Sequence, residues 1–202
     1  MATKVLCCIL LCAAFALPAE TIRVTTKTPR SVQAAIDYAK DGDTILIGPG
    51  IYTSPNGFVV KDRKNFTIAA EGEVWLLSSD AASDVLSIMN CLSFTLRGIK
   101  ARHSRPAPGY QCQGSVIVAE NTTGLAILGC ELAGSGAIGI DLVGCVDVEV
   151  KDCLIHDNSY AAIALTDVSS ISIRKNMIVR NATLLRSASV DGLTMSGNIT
   201  GE

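Results

Sequence analysis

The sequence predicts an all-β fold: a right-handed, single-stranded parallel β-helix, a solenoid with a short N-terminal capping helix. Three observations predict it. Six segments share one pattern, apolar-x-apolar, a short turn, then apolar-x-apolar again. Their starts are 28, 31, 23, 23 and 22 residues apart, so the period settles near one winding of a three-sided coil. The same rung of each segment also carries the same kind of side chain. One winding cannot bury its own apolar face, whereas stacked windings bury a continuous core.

Taken in chain order, the first element is a targeting signal. Lys4 supplies a charged start, Val5 to Phe15 form an apolar run, and Ala14-Phe15-Ala16 offers a cleavage site with Ala19 as a second option. The expected organisation is a signal peptide over residues 1–19 and a β-helix domain over 20–202, hence a secreted, extracellular protein. The run is too short to span a bilayer, and no later stretch is long and apolar enough.

Ser31 is placed to cap a helix through about Lys40, with Val32, Ala35, Ile36 and Ala39 on one face. Asp41-Gly42-Asp43 breaks it, Thr44 to Ile47 reads as a strand, and Gly48-Pro49-Gly50 turns the chain. The six repeats follow, starting at Phe58, Leu86, Ile117, Ile140, Ile163 and Leu185. The first two spacings are lengthened by insertions near 73–83 and 102–114.

Phe66, Phe94, Leu125, Val148, Ile171 and Leu193 form one expected inward column, and Ile68, Leu96, Ile127, Val150, Ile173 and Met195 the next. Between them Thr67, Thr95, Ala126, Glu149, Ser172 and Thr194 face outward, a period-2 alternation. Cys130, Cys153, Asn176 and Asn198 fall three residues beyond the second inward column. Asn176 and Asn198 are expected to stack as an amide ladder that the two cysteines continue as small fillers. A disulfide between them is disfavoured, because stacked side chains in register point the same way.

The segment from Ser31 through the Asp41-Gly42-Asp43 turn and the Gly48-Pro49-Gly50-Ile51-Tyr52 corner resembles the N-terminal module of the pectate-lyase-like right-handed β-helix superfamily. The resemblance runs from residue 31 to the end and implies the fold. For activity it implies a polysaccharide ligand only in outline, since this scaffold carries lyases, hydrolases, esterases, epimerases and non-catalytic proteins. The paired-Asp, GHG and RIK signatures of polygalacturonases are absent, as are the GxxDFIFG and LGRPW signatures of pectin methylesterases.

Composition narrows the classes. Net charge is −2 with no basic stripe, and aromatics make up 4% of the chain, so no nucleic-acid partner is expected. Cys91, Cys112, Cys130, Cys145 and Cys153 remain after the signal, an odd number without metal-ligand spacing to His103 or His156; no metal and no cofactor is expected. Sequons at Asn65, Asn121, Asn181 and Asn198 point to N-glycosylation, with the first three expected to carry it.

Candidate chemistry falls in three places. The outward rung of the first strand is Val59, Ser87, Val118, Asp141, Ala164 and Arg186, where Asp141 and Arg186 are the groups able to do acid–base work or bind an acidic sugar. After the third strand come His156 and Asp157, with Tyr160 three residues on and Arg180 one coil away. His156, Asp157 and Tyr160 invite comparison by resemblance with alginate-type epimerases and lyases, which use a Tyr, a His and a basic residue, and with Asp141 from the outward rung they make up the expected catalytic set. The irregular insertion holds Arg102, His103, Arg105 and Tyr110, which with Arg180 and Arg186 form the expected substrate-binding set. The plainer reading of each is a solvated surface pair or a surface loop. Function thus stays open between a carbohydrate-active enzyme on an acidic extracellular polysaccharide and a non-catalytic glycan-binding, adhesion or matrix module. The last repeat has no polar cap after it, so either a fragment of a longer solenoid, self-association through that end, or a short closing turn is expected.

Overall fold

The structure, a computed structural model, describes residues 18–28, 31–107, 109, 111–135 and 137–201. Residues 1–17 of the expected signal peptide and Tyr110 lie outside the described residues. The chain forms a right-handed parallel β-solenoid of about eight turns.

It starts with β1 (Thr21–Val24), α1 (Val32–Tyr38), β2 (Thr44–Ile47) and β3 (Gly50–Ser54). Four regular coils follow: β4 (Phe58–Lys61), β5 (Lys64–Ala70) and β6 (Val74–Ser78); β7 (Leu86–Met89), β8 (Leu92–Arg97) and β9 (Lys100–His103); β10 (Ile117–Glu120), β11 (Thr123–Leu128) and β12 (Glu131–Ala133); β13 (Ile138–Val143), β14 (Val146–Lys151) and β15 (Leu154–His156). The last two coils are β16 (Ala161–Arg174) with β17 (Met177–Val179), and β18 (Leu185–Ser196) with β19 (Ile199–Gly201).

All pairs are parallel and build three faces. The first face is β4-β7-β10-β13 continued by the start of β16 and β18. The second is β1-β2-β5-β8-β11-β14 continued by the ends of β16 and β18. The third is β3-β6-β9-β12-β15-β17-β19. Because β16 and β18 run unbroken round the corner, the first two faces count as one 12-stranded sheet.

The expected columns stand in register. Phe66 pairs with Phe94, Phe94 with Leu125, Leu125 with Val148, Val148 with Ile171, and Ile171 with Leu193. The first five are buried, each worth about 1.5–3 kcal/mol of apolar transfer. The Phe66 and Phe94 rings stack at 6.1 Å. Two further rungs precede the repeats, since Thr21 pairs with Thr44 and Thr44 with Thr67. The six coils read from the repeats therefore become about eight turns. Thr44 to Ile47 reads as a strand in the sequence but falls outside the six repeats, because α1 stands where a first-face strand would separate its rung from that of β1. Ser31 caps that helix through Ala34 N–H, and Val32, Ala35 and Ile36 close the end of the core. At the corner that follows, Gly50 has φ 148°, and a Cβ there would meet Thr26 Cγ2 at 2.6 Å.

The turns obey a columnar rule of their own. Between the first and second faces every coil places two residues in the left-handed region: Asp62, Asn90, Asn121, Gly144, Asp167 and Ser189, and then Asn65, Ser93, Gly124, Asp147, Ser170 and Gly192. These are short polar residues and glycines, the types that enter that region at least cost. The corner therefore repeats because its backbone does, and side-chain chemistry there is free to vary.

The amide ladder forms as expected. Asn198 Oδ1 accepts from Asn176 N–H at 2.9 Å, Asn176 Oδ1 from Cys153 N–H at 2.9 Å, and Cys153 Sγ from Cys130 N–H at 3.4 Å. A second ladder runs parallel to it on another corner: Asn181 Oδ1 accepts from Asn158 N–H at 3.1 Å, and Asn158 Oδ1 from Ser135 N–H at 3.0 Å. All five described cysteines are buried.

Candidate functional site

On the first face the outward rung predicted from the repeats is in register throughout: Val59 with Ser87, Ser87 with Val118, Val118 with Asp141, Asp141 with Ala164, and Ala164 with Arg186. Its C-terminal half borders an open cavity of about 500 Å³, lined by Ile138, Asp141, Tyr160, Ala164, Thr183 and Arg186 among others. The backbone around Tyr160 is pinned to the coil before it, with Ser159 N–H on Ser135 O at 2.9 Å and Tyr160 N–H on Ala137 O at 3.0 Å. That holds the phenol ring beneath the Arg186 guanidinium, which lies 4.5 Å from the ring centroid. Such a stack contributes about 0.5–1 kcal/mol at an exposed site.

Asp141 sits on β13 between two paired strands. Burial first, then the negative charges of Asp84 and Glu120, push its pKa up from the ordinary carboxylate value. Glu120 was findable in the sequence, being two residues past Val118 on β10 and thus on the same side of the sheet. Asp84 was not, because it lies in the loop before β7 that interrupts the repeat; there its Oδ1 accepts from Ser115 N–H at 2.8 Å.

The remaining expected catalytic residues go elsewhere. His156 ends β15 on the third face, and its Nδ1 lies 2.5 Å from Asp157 Oδ2. Arg180, one coil on, grips the same carboxylate with Nε on Oδ1 and Nη2 on Oδ2, both at 2.8 Å. That fork, above all, draws the Asp157 pKa down to about 2. The chain of charges continues through Glu131, 3.6 Å from His156 Nε2, to Lys100 and Glu73 at 3.2 and 3.1 Å. A carboxylate so committed is a poor proton acceptor. The expected quartet thus divides, with Asp141 and Tyr160 on the first face and His156 and Asp157 in an ion-pair chain on the third; among the described residues no hydrogen bond or ion pair joins Tyr160 to His156.

The expected substrate-binding residues do not converge either. Arg102 lies 5.1 Å and Lys100 5.2 Å from the Trp75 ring centroid on the third face. His103 is 1% exposed, with Nε2 2.9 Å from Ser83 O, so it anchors the loop before β7. Arg105 is exposed beside it. Arg180 is held by Asp157, which leaves Arg186 as the member of that set in the groove. Of the sequons, Asn65 and Asn121 are exposed, whereas Asn181 is a rung of the second ladder with both amide hydrogens donated. That placement argues against the glycan expected there. Among the described residues no three His, Cys, Asp or Glu side chains gather as a metal site, and no helix is long and apolar enough to cross a membrane.

Comparison with known proteins agrees with this geometry. A family model described as a right handed beta helix region matches residues 88–200. No curated protein matches the sequence. Among solved structures, the fold is similar to a candidate glycosyl hydrolase from Parabacteroides merdae, with a TM-score of 0.67 at 15% identity over 84% of this chain and 86% of that one. It is also similar to pectate lyase Pel9A, with a TM-score of 0.52 at 11% identity over 88% of this chain and 56% of that one. The chain thus spans just over half the length of Pel9A, and at these identities the likeness is one of fold. The family match covers more than half of the sequence, and the columns that hold Phe94 and Leu96 stand in register within it; the chain belongs to the right-handed β-helix family.

Proposed function

We propose that the protein is secreted and acts on an extracellular polysaccharide laid along the first face, with the groove between Asp141 and Arg186 as its site. The observation that carries this reading is Asp141 itself: a half-buried carboxyl in an open cavity, held toward its protonated form by burial and by Asp84 and Glu120. A carboxyl of that kind can protonate a leaving glycosidic oxygen. Arg186, braced on Tyr160, supplies the cation for a uronate carboxylate, and the exposed Tyr160 ring edge offers an apolar surface to a sugar face. Fold likeness to a candidate glycosyl hydrolase and a pectate lyase supports the polysaccharide class.

The test is a panel of pectin, alginate, other uronans and neutral glycans, scored for reducing ends, unsaturated products and epimerised residues. Asp141→Asn is expected to abolish turnover while retaining binding, and Arg186→Ala to weaken binding of uronans more than of neutral glycans. Turnover that survives Asp141→Asn contradicts the role given to Asp141. The alternative is a non-catalytic glycan-binding, adhesion or matrix module. It is favoured by the diversion of His156 and Asp157 into an ion-pair chain, and binding without turnover by the unaltered protein decides for it.

A further inference from the structure

We propose that Asn65 and Asn121 carry N-linked glycans and that Asn181, though it stands in an intact sequon, stays unmodified in the folded protein. The inference rests on the reading that the chain enters a secretory pathway. Transfer joins Asn Nδ2 to the anomeric carbon of a lipid-diphosphate-linked oligosaccharide. The bond from that carbon to the diphosphate oxygen breaks, the lipid diphosphate leaves, and Nδ2 gives up one proton to base. A folded site must therefore spare one amide hydrogen and offer outward room.

Asn65 and Asn121 meet both conditions. They stand at the same corner, between the first and second faces, two coils apart, with left-handed φ of 51° and 48° and exposed side chains. The coil after Asn121 presents Gly144, where a Cβ would lie 2.8 Å from Asn121 Oδ1, so the glycine leaves space for this side chain. Glycans here would flank the second-face edge of the groove and leave its third-face edge, with Tyr160, open.

Asn181 meets neither condition. Nδ2 donates to Ile155 O and to Val179 O, each at 2.9 Å, and Oδ1 accepts from the backbone and the side chain of Asn158 at 3.1 and 2.9 Å. Asn158 is 1% exposed and in turn holds Ser135 N–H. A sugar on Asn181 removes one of these donors and forces the rung apart. Transfer precedes folding, so chains modified there would fail to complete the ladder and would not accumulate as folded protein.

The experiment is translation of the full chain with microsomes and expression in a eukaryotic secretory host, with glycopeptide mapping of the folded product. Occupied Asn65 and Asn121 with bare Asn181 is the expected result. An occupied Asn181 in folded protein, or bare Asn65 and Asn121 in protein that reached the medium, overturns the assignment. A chain that is never imported overturns the secretory reading instead. The site assignment is then read in glycan-free protein: Asn181→Asp, which replaces both donors by an acceptor facing two carbonyls, is expected to lower Tm, and Asn65→Asp and Asn121→Asp, in a conformation Asp tolerates, to leave it unchanged. Equal tolerance at all three positions overturns it.

Discussion

Replacing Asn176 by Ala removes the busiest rung of the first ladder. Its side chain is 1% exposed, accepts from Cys153 N–H at 2.9 Å, and donates to Val150 O at 2.9 Å and Asn198 Oδ1 at 3.0 Å. The Cys153 N–H is left buried without a partner, at about 1–3 kcal/mol, and the two donated bonds are lost at about 0.5–1.5 kcal/mol each. The expected loss is about 2–6 kcal/mol, a large share of the roughly 5–15 kcal/mol that a folded domain commands. Asn176→Cys serves as the internal control, because the coil before already places Cys153 at this rung with Sγ accepting an N–H at 3.4 Å. It is expected to lose less than the alanine variant. Urea unfolding followed by far-ultraviolet circular dichroism measures both. An alanine variant within about 0.5 kcal/mol of the unaltered protein, or a cysteine variant as weak as alanine, would refute the ladder reasoning.

Asp157, with its pKa drawn down to about 2, stabilises the fold above the ordinary carboxylate value and loses that contribution as pH falls from about 4 to 2. Arg180→Gln should raise the Asp157 carboxyl midpoint seen by carbon NMR; an unmoved midpoint contradicts the assigned cause. Asp141 has the opposite sign: a raised pKa favours the fold while the carboxyl is protonated, and the benefit is lost as pH rises through its folded value. Asp141→Asn should therefore flatten the decline of stability toward neutral pH, and a parallel profile would count against it. The five described cysteines, all buried, should resist a thiol reagent in native buffer and react once the chain is unfolded. Among the described residues no further strand pairs with β18 or β19, and Leu184 and Met195 are each 39% and Ile199 62% exposed there, so residues 1–202 on their own should self-associate in sedimentation at rising concentration. A monomer throughout contradicts that expectation.

The core of this fold was legible because burial imposes period 2 along a strand and repetition imposes register between coils. Phe66, Phe94, Leu125, Val148 and Ile171 could be aligned without coordinates for that reason. The outward rung from Val59 to Arg186 followed from the same logic. The second ladder was not legible: Asn181 reads as a sequon, and only its bonds to Ile155 O and to Asn158 show that it is a rung. The candidate site was half legible. Asp141 and Arg186 fell on the right face from register, but Asp84 lies in an insertion that repeat alignment cannot place. His156 and Tyr160, four residues apart in sequence, are carried to different faces by the corner between them.

The account stands on side chains of one column lying one above another, separated by single strand spacings. Spin labels on the outward column of the second face test this directly, one fixed at Thr44 and the other moved to Glu149, Ser172 or Thr194, while the native cysteines stay buried. With about 4.8 Å per coil, the distances should rise in equal steps to about 19, 24 and 29 Å, whatever the number of residues between. Distances that fail to grow coil by coil would contradict the stacked register and every placement built on it.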